Sequence, residues 1–440
     1  MLFDFGGTII GPAIPYFENL KLFNTAEISH LSSAVVMSAA IACLAAGWLA
    51  EKFGRKAMML FPAAVAGLAC LPICFSPELS SMTGVSAYWF FYAGRAMQGV
   101  AAGIIGVVVP MYLAESLDAA NRGKGAGMFQ LFDFVGISFC SLVGLAVVHV
   151  IGSADGETVT AAQKALAWKT VFWSSAAPAV LFFVGALGLR ESPVWLESVA
   201  KAREAGAAAK STDAVAPAVS EESLLQRKYV LPFLISMAVL ICNQAIGFNA
   251  IQYFSIPMFK AVGLSHEAAS VANVAVWLVP LPLTAIACGL VDRAGRKSLL
   301  MTGTMGMVIA YVVAAFMFLS VAKGWCTGSA AVGWTTVGAI ALFVASFSIG
   351  PGVVVWLALS ELMPDRIRAN GMSICLFVNQ MVAFAISDAF LQWVEKSGYA
   401  NVLFWLAGFS FVYFLVAALL LPETKGKTLA EIEAYFSKGK

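Results

Sequence analysis

The chain has 440 residues, of which 60% are hydrophobic and only 12% are charged. About a quarter of the residues of a soluble domain are charged, because its outer surface must meet water. This composition therefore excludes an ordinary soluble protein and predicts a chain that spans a lipid bilayer. The eight cysteines and three histidines follow no metal-ligand spacing, so we expect no metal and no other bound cofactor.

Twelve apolar stretches follow one another along the chain, and a membrane-spanning helix needs about 20 such residues. They lie at 1–19, 30–50, 57–76, 86–114, 127–150, 169–189, 229–256, 268–290, 298–320, 333–360, 370–393 and 401–421. In lipid the backbone polar groups must bond to one another, and a helix achieves this within a single segment. The predicted fold class is therefore an all-α membrane protein with twelve transmembrane helices.

Residues 190–228 form the longest polar stretch, which is rich in alanine, lysine and glutamate. This stretch separates six predicted spans from six more. We predict an N-terminal six-helix bundle over 1–189, a C-terminal six-helix bundle over 229–421 and a tail over 422–440. The stretch between the bundles is predicted to be a cytoplasmic linker with surface helices.

Lysine and arginine are distributed unequally between the two faces of this predicted membrane protein. With an even number of spans both termini lie on one face, which carries 20 of the 27 basic residues, whereas the opposite face carries 6. The remaining one, Arg95, falls inside a span. Basic loops are retained on the cytoplasmic side of a membrane. We therefore predict that both termini are cytoplasmic, in an integral protein of the cell's inner membrane.

Two short motifs recur in the second half of the chain. Residues 51–56 read EKFGRK between spans two and three, and residues 292–297 read DRAGRK between spans eight and nine. An acid–arginine spacing recurs as well, because a glutamate stands seven residues before an arginine after span four and again after span ten. Duplicated halves with a site between them are typical of transporters.

The repeated motifs place carboxylates and arginines at the cytoplasmic ends of different spans. Such groups can pair in one conformation and separate in another, as a conformational switch requires. The alternative is that these charges act only as topology signals. The matched acid and arginine positions favour a cytoplasmic gate. The candidate gate residues are Glu51, Arg55, Glu115, Arg122, Asp292, Arg296, Glu361 and Arg368.

Three further motifs stand in order along the chain. Span four runs from Gly94-Arg95 to Glu115 with glycines and a proline between them, residues 190–196 read RESPVWL, and residues 422–426 read PETKG. Together they resemble the motifs of the sugar porter family of the major facilitator superfamily, and the resemblance covers nearly the whole chain. It implies a major facilitator fold, in which two six-helix bundles rock about a central site.

The resemblance also implies a set of sugar-binding side chains on spans five, seven, eight, ten and eleven. They are Gln130, Asn243, Gln244, Asn249, Tyr253, Asn273, Trp356 and Asn379. Amide side chains donate and accept hydrogen bonds without carrying charge, which suits the hydroxyl groups of a sugar. A tryptophan ring can stack on the C–H face of a sugar. The alternative role of such amides is interhelical hydrogen bonding, which also occurs within membranes.

Several residues around this set depart from the family pattern. Asn243 stands where the family has glutamine, and Trp277 stands where it often has threonine. Val353 and Val355 replace prolines, and Gln380 replaces a frequent tryptophan. We therefore expect an altered pocket edge and do not assume glucose as the cargo.

Three acidic residues, Asp4, Asp133 and Asp388, lie in or beside apolar spans, where acids are candidates for proton transfer. The first begins a DFG sequence that resembles the DxG motif of the family's first span. In proton-coupled members this aspartate works near the arginine that Arg95 matches. We therefore expect symport with the proton as coupling ion, Asp4 as its carrier and Arg95 as modulator. Facilitated diffusion is the alternative.

Two features leave the coupling scheme open. The acid that some proton-coupled members carry on span six corresponds to Ser175 here. Only three residues precede Asp4, so the first span is either short, with its acid near the cytoplasmic face, or begins before Met1.

The expected function is secondary active transport of a neutral monosaccharide by alternating access. The alternatives are a sugar uniporter, a porter of a polyol, cyclitol or other small metabolite, and a non-transporting sugar sensor. The sequence contains no nucleophile–base pair, metal cluster or phosphate loop, so we expect no enzyme. The expected partners are a small neutral sugar and the lipid bilayer, without nucleic acid, and the expected state is a monomer.

Overall fold

The computed structural model describes residues 2–116, 122–209, 226–325, 330–364, 367–427, 431 and 435–436. Within these ranges the regular secondary structure is helical throughout. The first half of the chain contains α1 (Leu2–Thr8), α2 (Ile10–Leu20), α3 (Thr25–Phe53), α4 (Ala57–Leu68), α5 (Cys70–Cys74), α6 (Ser76–Thr83), α7 (Ala87–Ser116), α8 (Arg122–Val150), α9 (Ala161–Trp173) and α10 (Ala176–Leu187).

The helix α11 (Pro193–Ala209) lies in the predicted linker. Its Trp195 donates from the indole Nε1 to the Glu51 carbonyl oxygen at 2.7 Å, so the start of the linker docks on the first half. The second half contains α12 (Arg227–Ala245), α13 (Phe248–Ala261), α14 (His266–Leu278), α15 (Pro280–Ala294), α16 (Arg296–Ala322), α17 (Ala330–Ile349), α18 (Pro351–Leu362) and α19 (Arg368–Leu419).

Ten apolar helical stretches of the described residues are long enough to cross a membrane. The last of them, Gly371–Leu419, holds two predicted spans, because α19 passes through the non-helical backbone of Gly398 (φ +78°, ψ 157°). The short helices α1 and α2 together supply the remaining span. The twelve-helix architecture of an integral membrane protein, predicted from the sequence, is thereby confirmed.

Several predicted spans consist of two helices rather than one. Span one breaks at Ile9, span seven at Gly247 and span ten at Gly350. Gly247 has φ +75°, a left-handed conformation that glycine adopts without a Cβ clash. Gly350 precedes Pro351, whose missing N–H is no loss in the first turn of a helix. Broken helices inside a membrane protein are tolerated where they are enclosed by protein or line a cavity.

The two halves meet along a long boundary. Helix α3 packs on α19, α8 packs on α14 and α15, and α13 contacts α1 and α2. One hydrophobic cluster crosses this boundary, since it joins Phe134 and Ile137 of α8 to Phe254 and Trp277 of the second half. Polar side chains at the boundary are therefore enclosed between the two bundles, where transporters hold their substrates.

The helices run between two ends of the molecule. The end that carries the turns at Gly54 and Gly295 is called the motif end, because both turns belong to the repeated motifs. The opposite end carries the turns at Lys21 and Gly263 and the segment 151–160, and it is called the loop end.

Candidate functional site

One hydrogen bond between candidate sugar-binding residues crosses the boundary between the halves. The indole Nε1 of Trp356, on α18, donates to Oε1 of Gln130, on α8, at 3.2 Å. Trp356 is 43% exposed, so its ring remains accessible even while its indole nitrogen is bonded to Gln130. The structure thus brings together two residues that lie 226 positions apart in the chain.

Span seven supplies further amides on both sides of its break at Gly247. Gln244 donates from Nε2 to Oδ1 of Asn379 at 3.2 Å, and Asn379 donates in turn to the Leu240 carbonyl oxygen at 3.0 Å. Asn243 is buried, and its Oδ1 has no hydrogen-bond partner among the described atoms. Asn249 follows the break, at the start of α13. The break therefore separates two groups of amides within one span.

Asn273, on α14, is buried between the halves. Its Oδ1 accepts a hydrogen bond from the Ser255 hydroxyl at 2.6 Å, and its Nδ2 donates to the Ser141 hydroxyl of α8 at 3.1 Å. This arrangement supports both roles considered for the amides, because Asn273 makes an interhelical contact and also lies at the boundary. Tyr253 is likewise buried, with its hydroxyl 3.1 Å from the position that a Cβ on Gly7 would occupy.

An aromatic cluster adjoins these amides in the second half. Phe248 stacks on Phe347 with ring centroids 4.0 Å apart and meets Trp277 edge-on at 5.7 Å. Trp277 is fully buried, and its carbonyl oxygen accepts a hydrogen bond from Ser138 of α8 at 2.5 Å. The bulky residue that departs from the family pattern is therefore part of the packed boundary.

Arg95 is fully buried and is held by backbone carbonyl groups rather than by a carboxylate. Its Nη1 donates to the Gly6 carbonyl oxygen at 2.6 Å and its Nη2 to that of Gly7 at 3.1 Å. Its Nε donates to the Leu31 carbonyl oxygen at 3.0 Å. No ion pair joins Arg95 to Asp4 within the part of the chain that the structure describes. The arginine instead fixes the backbone that follows the acid.

Sequence reasoning missed two residues that connect α1 to the second half. Gln252 of α13 donates from Nε2 to the Thr8 hydroxyl at 2.5 Å, and Thr8 donates to the Asp4 carbonyl oxygen at 2.6 Å. Gln252 is buried beside the candidate residue Tyr253. An amide inside an apolar span is costly unless it has a partner, and this cost was the available signal.

A third missed residue, Gln98, lies one helical turn after Arg95. Its Oε1 accepts a hydrogen bond from Nη1 of Arg95 at 2.7 Å, whereas its Nε2 has no partner among the described atoms. Phe5, Gly6, Gln98 and Ser175 help to line a cavity of about 10 Å³. This volume corresponds to about one water molecule. Ser175, at the position where some family members carry an acid, thus adjoins a small and mostly apolar cavity.

At the motif end the first half forms a compact ionic cluster. Arg55 pairs with Glu115, its Nη2 donating at 2.8 Å and its Nε at 3.0 Å. The Ser192 hydroxyl donates to the same carboxylate at 2.5 Å. Glu191 accepts hydrogen bonds from the backbone nitrogen atoms of Arg55 at 2.8 Å and Lys56 at 3.2 Å. The Glu191 carboxylate therefore caps the start of span three, where it also meets the positive end of the helix dipole.

The second half repeats this cluster. Arg296 donates from Nη2 to Glu361 at 3.0 Å, and the Thr424 hydroxyl donates to Glu361 at 2.6 Å. Glu423 accepts from the backbone nitrogen atoms of Arg296 at 3.0 Å and Lys297 at 3.2 Å. The RESPVWL and PETKG motifs therefore serve the same purpose, since each supplies a capping glutamate and a hydroxyl. Their equivalence was missed in the sequence, because the two motifs share only the Glu-Ser/Thr pair.

Each cluster lies entirely within its own half of the molecule. Neither the ion pair Arg55–Glu115 nor the ion pair Arg296–Glu361 therefore joins the halves. Glu51 contributes its carbonyl oxygen to the contact with the linker helix, and its side chain is exposed. The side chains of the remaining candidate gate residues, Arg122, Asp292 and Arg368, lie outside the described part of the chain. The gate thus stays a prediction.

Comparison with known proteins gives consistent matches. The family model of sugar (and other) transporters matches residues 16–436. The chain is similar to plastidic glucose transporter 4 of Arabidopsis thaliana, with 28% identity over 459 residues that cover 100% of this chain and 79% of the relative. It is also similar to the arabinose-proton symporter of Bacillus subtilis (strain 168), with 24% identity over 100% of this chain and 93% of the relative.

Among solved structures, the fold is similar to the partially occluded inward-open conformation of the xylose transporter XylE from E. coli. The TM-score is 0.78 at 22% sequence identity, and the match covers 97% of this chain and 96% of that chain. The structural likeness shows the major facilitator fold, and the family model extends over nearly the whole chain. The chain belongs to the sugar porter family of the major facilitator superfamily, whose members are membrane transporters and not enzymes.

Proposed function

We propose that this protein moves a neutral sugar across the cell's inner membrane by alternating access, and that a proton accompanies the sugar. The sugar binds between the two halves, and both termini and the motif end face the cytoplasm. The orientation is supported by the excess of basic residues, 20 against 6, on the face that carries the motif turns.

The observation that carries the proposal is the hydrogen bond between Trp356 and Gln130, which belong to different halves. A solute that lies against this pair touches both bundles at once. Its binding free energy then differs between conformations that bring the halves together here and conformations that separate them. A ligand shifts a conformational equilibrium only through such a difference in affinity.

The chemistry of the boundary supports a neutral cargo. The hydrogen-bonding side chains at Gln130, Gln244, Asn273 and Asn379 are uncharged amides, which are both donors and acceptors. Arg95, the cation inside span four, directs its three nitrogen atoms to backbone carbonyls and to Gln98. Because four of its five N–H donors are already used, it is poorly placed to neutralise an anionic cargo.

The contacts of α1 support proton coupling through Asp4. Gln252 bonds Thr8, and Thr8 bonds the Asp4 carbonyl oxygen, so a helix of the candidate sugar site is linked to the segment that carries the acid. Arg95 holds the same segment from the opposite side. A movement of α13 on sugar binding would therefore change the surroundings of the Asp4 carboxylate, which is the linkage that symport requires.

Sugar binding to the purified protein tests the proposed cargo. We expect hexoses or pentoses to compete for one site, and sugar acids to compete poorly. Removing one hydrogen-bonding side chain costs about 1.4 kcal/mol, so Gln130→Ala should weaken binding about tenfold. The matched control is Gln226→Ala, which removes an exposed glutamine at the start of α12. The proposal fails if no neutral carbohydrate competes or if both variants bind equally well.

A further inference from the structure

One ionisable pair joins the two halves at the loop end. Nδ1 of His30, on α3, lies 2.7 Å from Oδ1 of Asp388, on α19. The hydroxyl of Ser33, one turn further along α3, donates to the same oxygen at 2.6 Å. The two α3 residues lie about 355 positions from Asp388 in the chain, so these hydrogen bonds connect the first half to the second at the loop end.

The surroundings of this pair leave it open to water. The His30 side chain is 46% exposed and that of Asp388 is 22% exposed. Tyr88 of α7 interacts electrostatically with Asp388, and Tyr92 of α7 and Glu27 of α3 are further neighbours of Tyr88. None of these three neighbours is a cation. The Asp388 carboxylate is bonded to a histidine, the type of side chain that serves as a pH switch in proteins.

A second set of contacts also fastens the two halves together at the loop end. Lys260 of α13 pairs with Asp155 of the segment 151–160 at 2.9 Å. In the same segment the backbone nitrogen of Ala154 donates to Nδ1 of His266 at 2.9 Å. His266 is almost fully buried and acts there as an acceptor, which requires a neutral Nδ1.

The two ends of the molecule differ in whether these ion pairs lie within one half or connect the two halves. At the motif end the ion pairs Arg55–Glu115 and Arg296–Glu361 lie within one half each. At the loop end the pair His30–Asp388 and the pair Lys260–Asp155 both connect the halves. Only bonds between the halves break when the bundles rock apart at that end, so only they bias one conformation against the other.

We propose that His30 and Asp388 form a proton-binding site, the loop-end latch, in which a proton on the imidazole stabilises the conformation closed at the loop end. This inference rests on the proposed alternating access and adds a proton site distinct from Asp4. A neutral imidazole already donates one hydrogen bond to Asp388. A second proton makes the bond charge-assisted, which strengthens it.

The direction of the effect follows from the pairing. The charge-assisted bond to Asp388 forms only while the latch is closed, so it stabilises that conformation. Low pH on the loop side therefore favours closure of that end, and high pH favours opening. An exposed ion pair of this kind shifts an equilibrium by about threefold. The Lys260–Asp155 pair adds a second contact between the halves at the same end.

Hydrogen–deuterium exchange of the purified full chain in nanodiscs tests the latch without sugar. The rates are measured at pH 5.5 and pH 8 and corrected for intrinsic amide exchange, for the peptides around His30 and Asp388 and for segment 151–160. We expect about threefold greater protection of these peptides at pH 5.5 in the unaltered protein. His30→Gln and Asp388→Asn should each abolish the difference between the two pH values.

The control is His149→Gln, which removes another exposed histidine near the loop end. It should keep the pH difference. Sugar binding measured on the same samples shows that each variant is folded, and its failure in the unaltered protein would count against the cargo and not against the latch. The latch is refuted if His30→Gln keeps the pH difference or if His149→Gln loses it equally.

Discussion

Arg95 is hydrogen-bonded to the short backbone segment that directly follows Asp4. Arg95 bonds the carbonyl groups of Gly6 and Gly7, two and three residues beyond the acid, and Thr8 bonds the acid's own carbonyl. The arginine thus sets the position of the Asp4 carboxylate indirectly. This differs from a direct acid–arginine contact, and the coupling role of the two residues stays a prediction.

Asp4→Asn tests whether this acid carries the coupling proton. An asparagine keeps the size and polarity of the side chain but does not release a proton in this range of pH. In proteoliposomes with an imposed pH gradient, we expect accumulation of sugar to fall at least tenfold, whereas exchange of sugar at equal pH continues. Glu395→Gln, which removes an exposed acid of α19, is the matched control. Undiminished accumulation by Asp4→Asn would assign the coupling to another group.

Helix packing in the first half depends on small residues where α3 and α7 meet. A Cβ on Gly103 of α7 would stand 2.9 Å from the Cα of Ala39 on α3 and the same distance from the Ala42 methyl group. The carbonyl oxygen of Ala39 is closer still. Close approach through small residues is the usual way in which helices associate inside membranes. This contact holds α3, the helix that carries His30, against the first half.

Gly103→Val therefore adds volume where the backbone of the neighbouring helix leaves no room. We expect the variant to lose about 1–3 kcal/mol of stability, because overpacking forces helices apart. Thermal unfolding of the purified protein in detergent measures the loss. Gly47→Val is the matched control, since nothing lies within 4 Å of a Cβ at that glycine of α3. Equal melting temperatures of the two variants would show that the α3–α7 contact is not close-packed.

At the scale of the whole molecule, the sequence predicted the number and the approximate positions of the membrane spans. Hydropathy alone placed twelve spans, because each must be apolar over the thickness of a bilayer. It did not reveal the breaks at Ile9, Gly247 and Gly350. A glycine or proline inside an apolar run is compatible with a continuous helix in a membrane protein, where neighbouring helices satisfy freed backbone groups.

The contacts of the candidate site were less predictable than its members. Uncharged amides in apolar spans were visible as candidates, and the structure brings Gln130 to Trp356 and Gln244 to Asn379. The partnership of Gln252 with Thr8 was not visible, because it depends on how two bundles pack across 244 positions of sequence. Motifs defined by short spacings could be recognised in the sequence. Residue pairs that form only when the two halves pack together could not be predicted from it.

The two ends of the molecule give the alternating-access account its physical basis. The motif-end clusters hold each half together internally, so each bundle can move as a unit. The contacts between halves at His30–Asp388 and Lys260–Asp155 lie at the loop end. In the alternating access that we propose, rocking of the bundles would exchange these contacts for others.

Sugar counterflow in proteoliposomes tests the central claim most directly, because it requires binding, reorientation and release of the cargo on both sides. Vesicles are preloaded with an unlabelled neutral sugar and diluted into a trace of the same sugar carrying a radiolabel, at equal pH. A hexose or pentose bound between the halves should drive transient accumulation of label that protein-free vesicles do not show. The account is contradicted if no neutral sugar or polyol produces counterflow while a charged solute does.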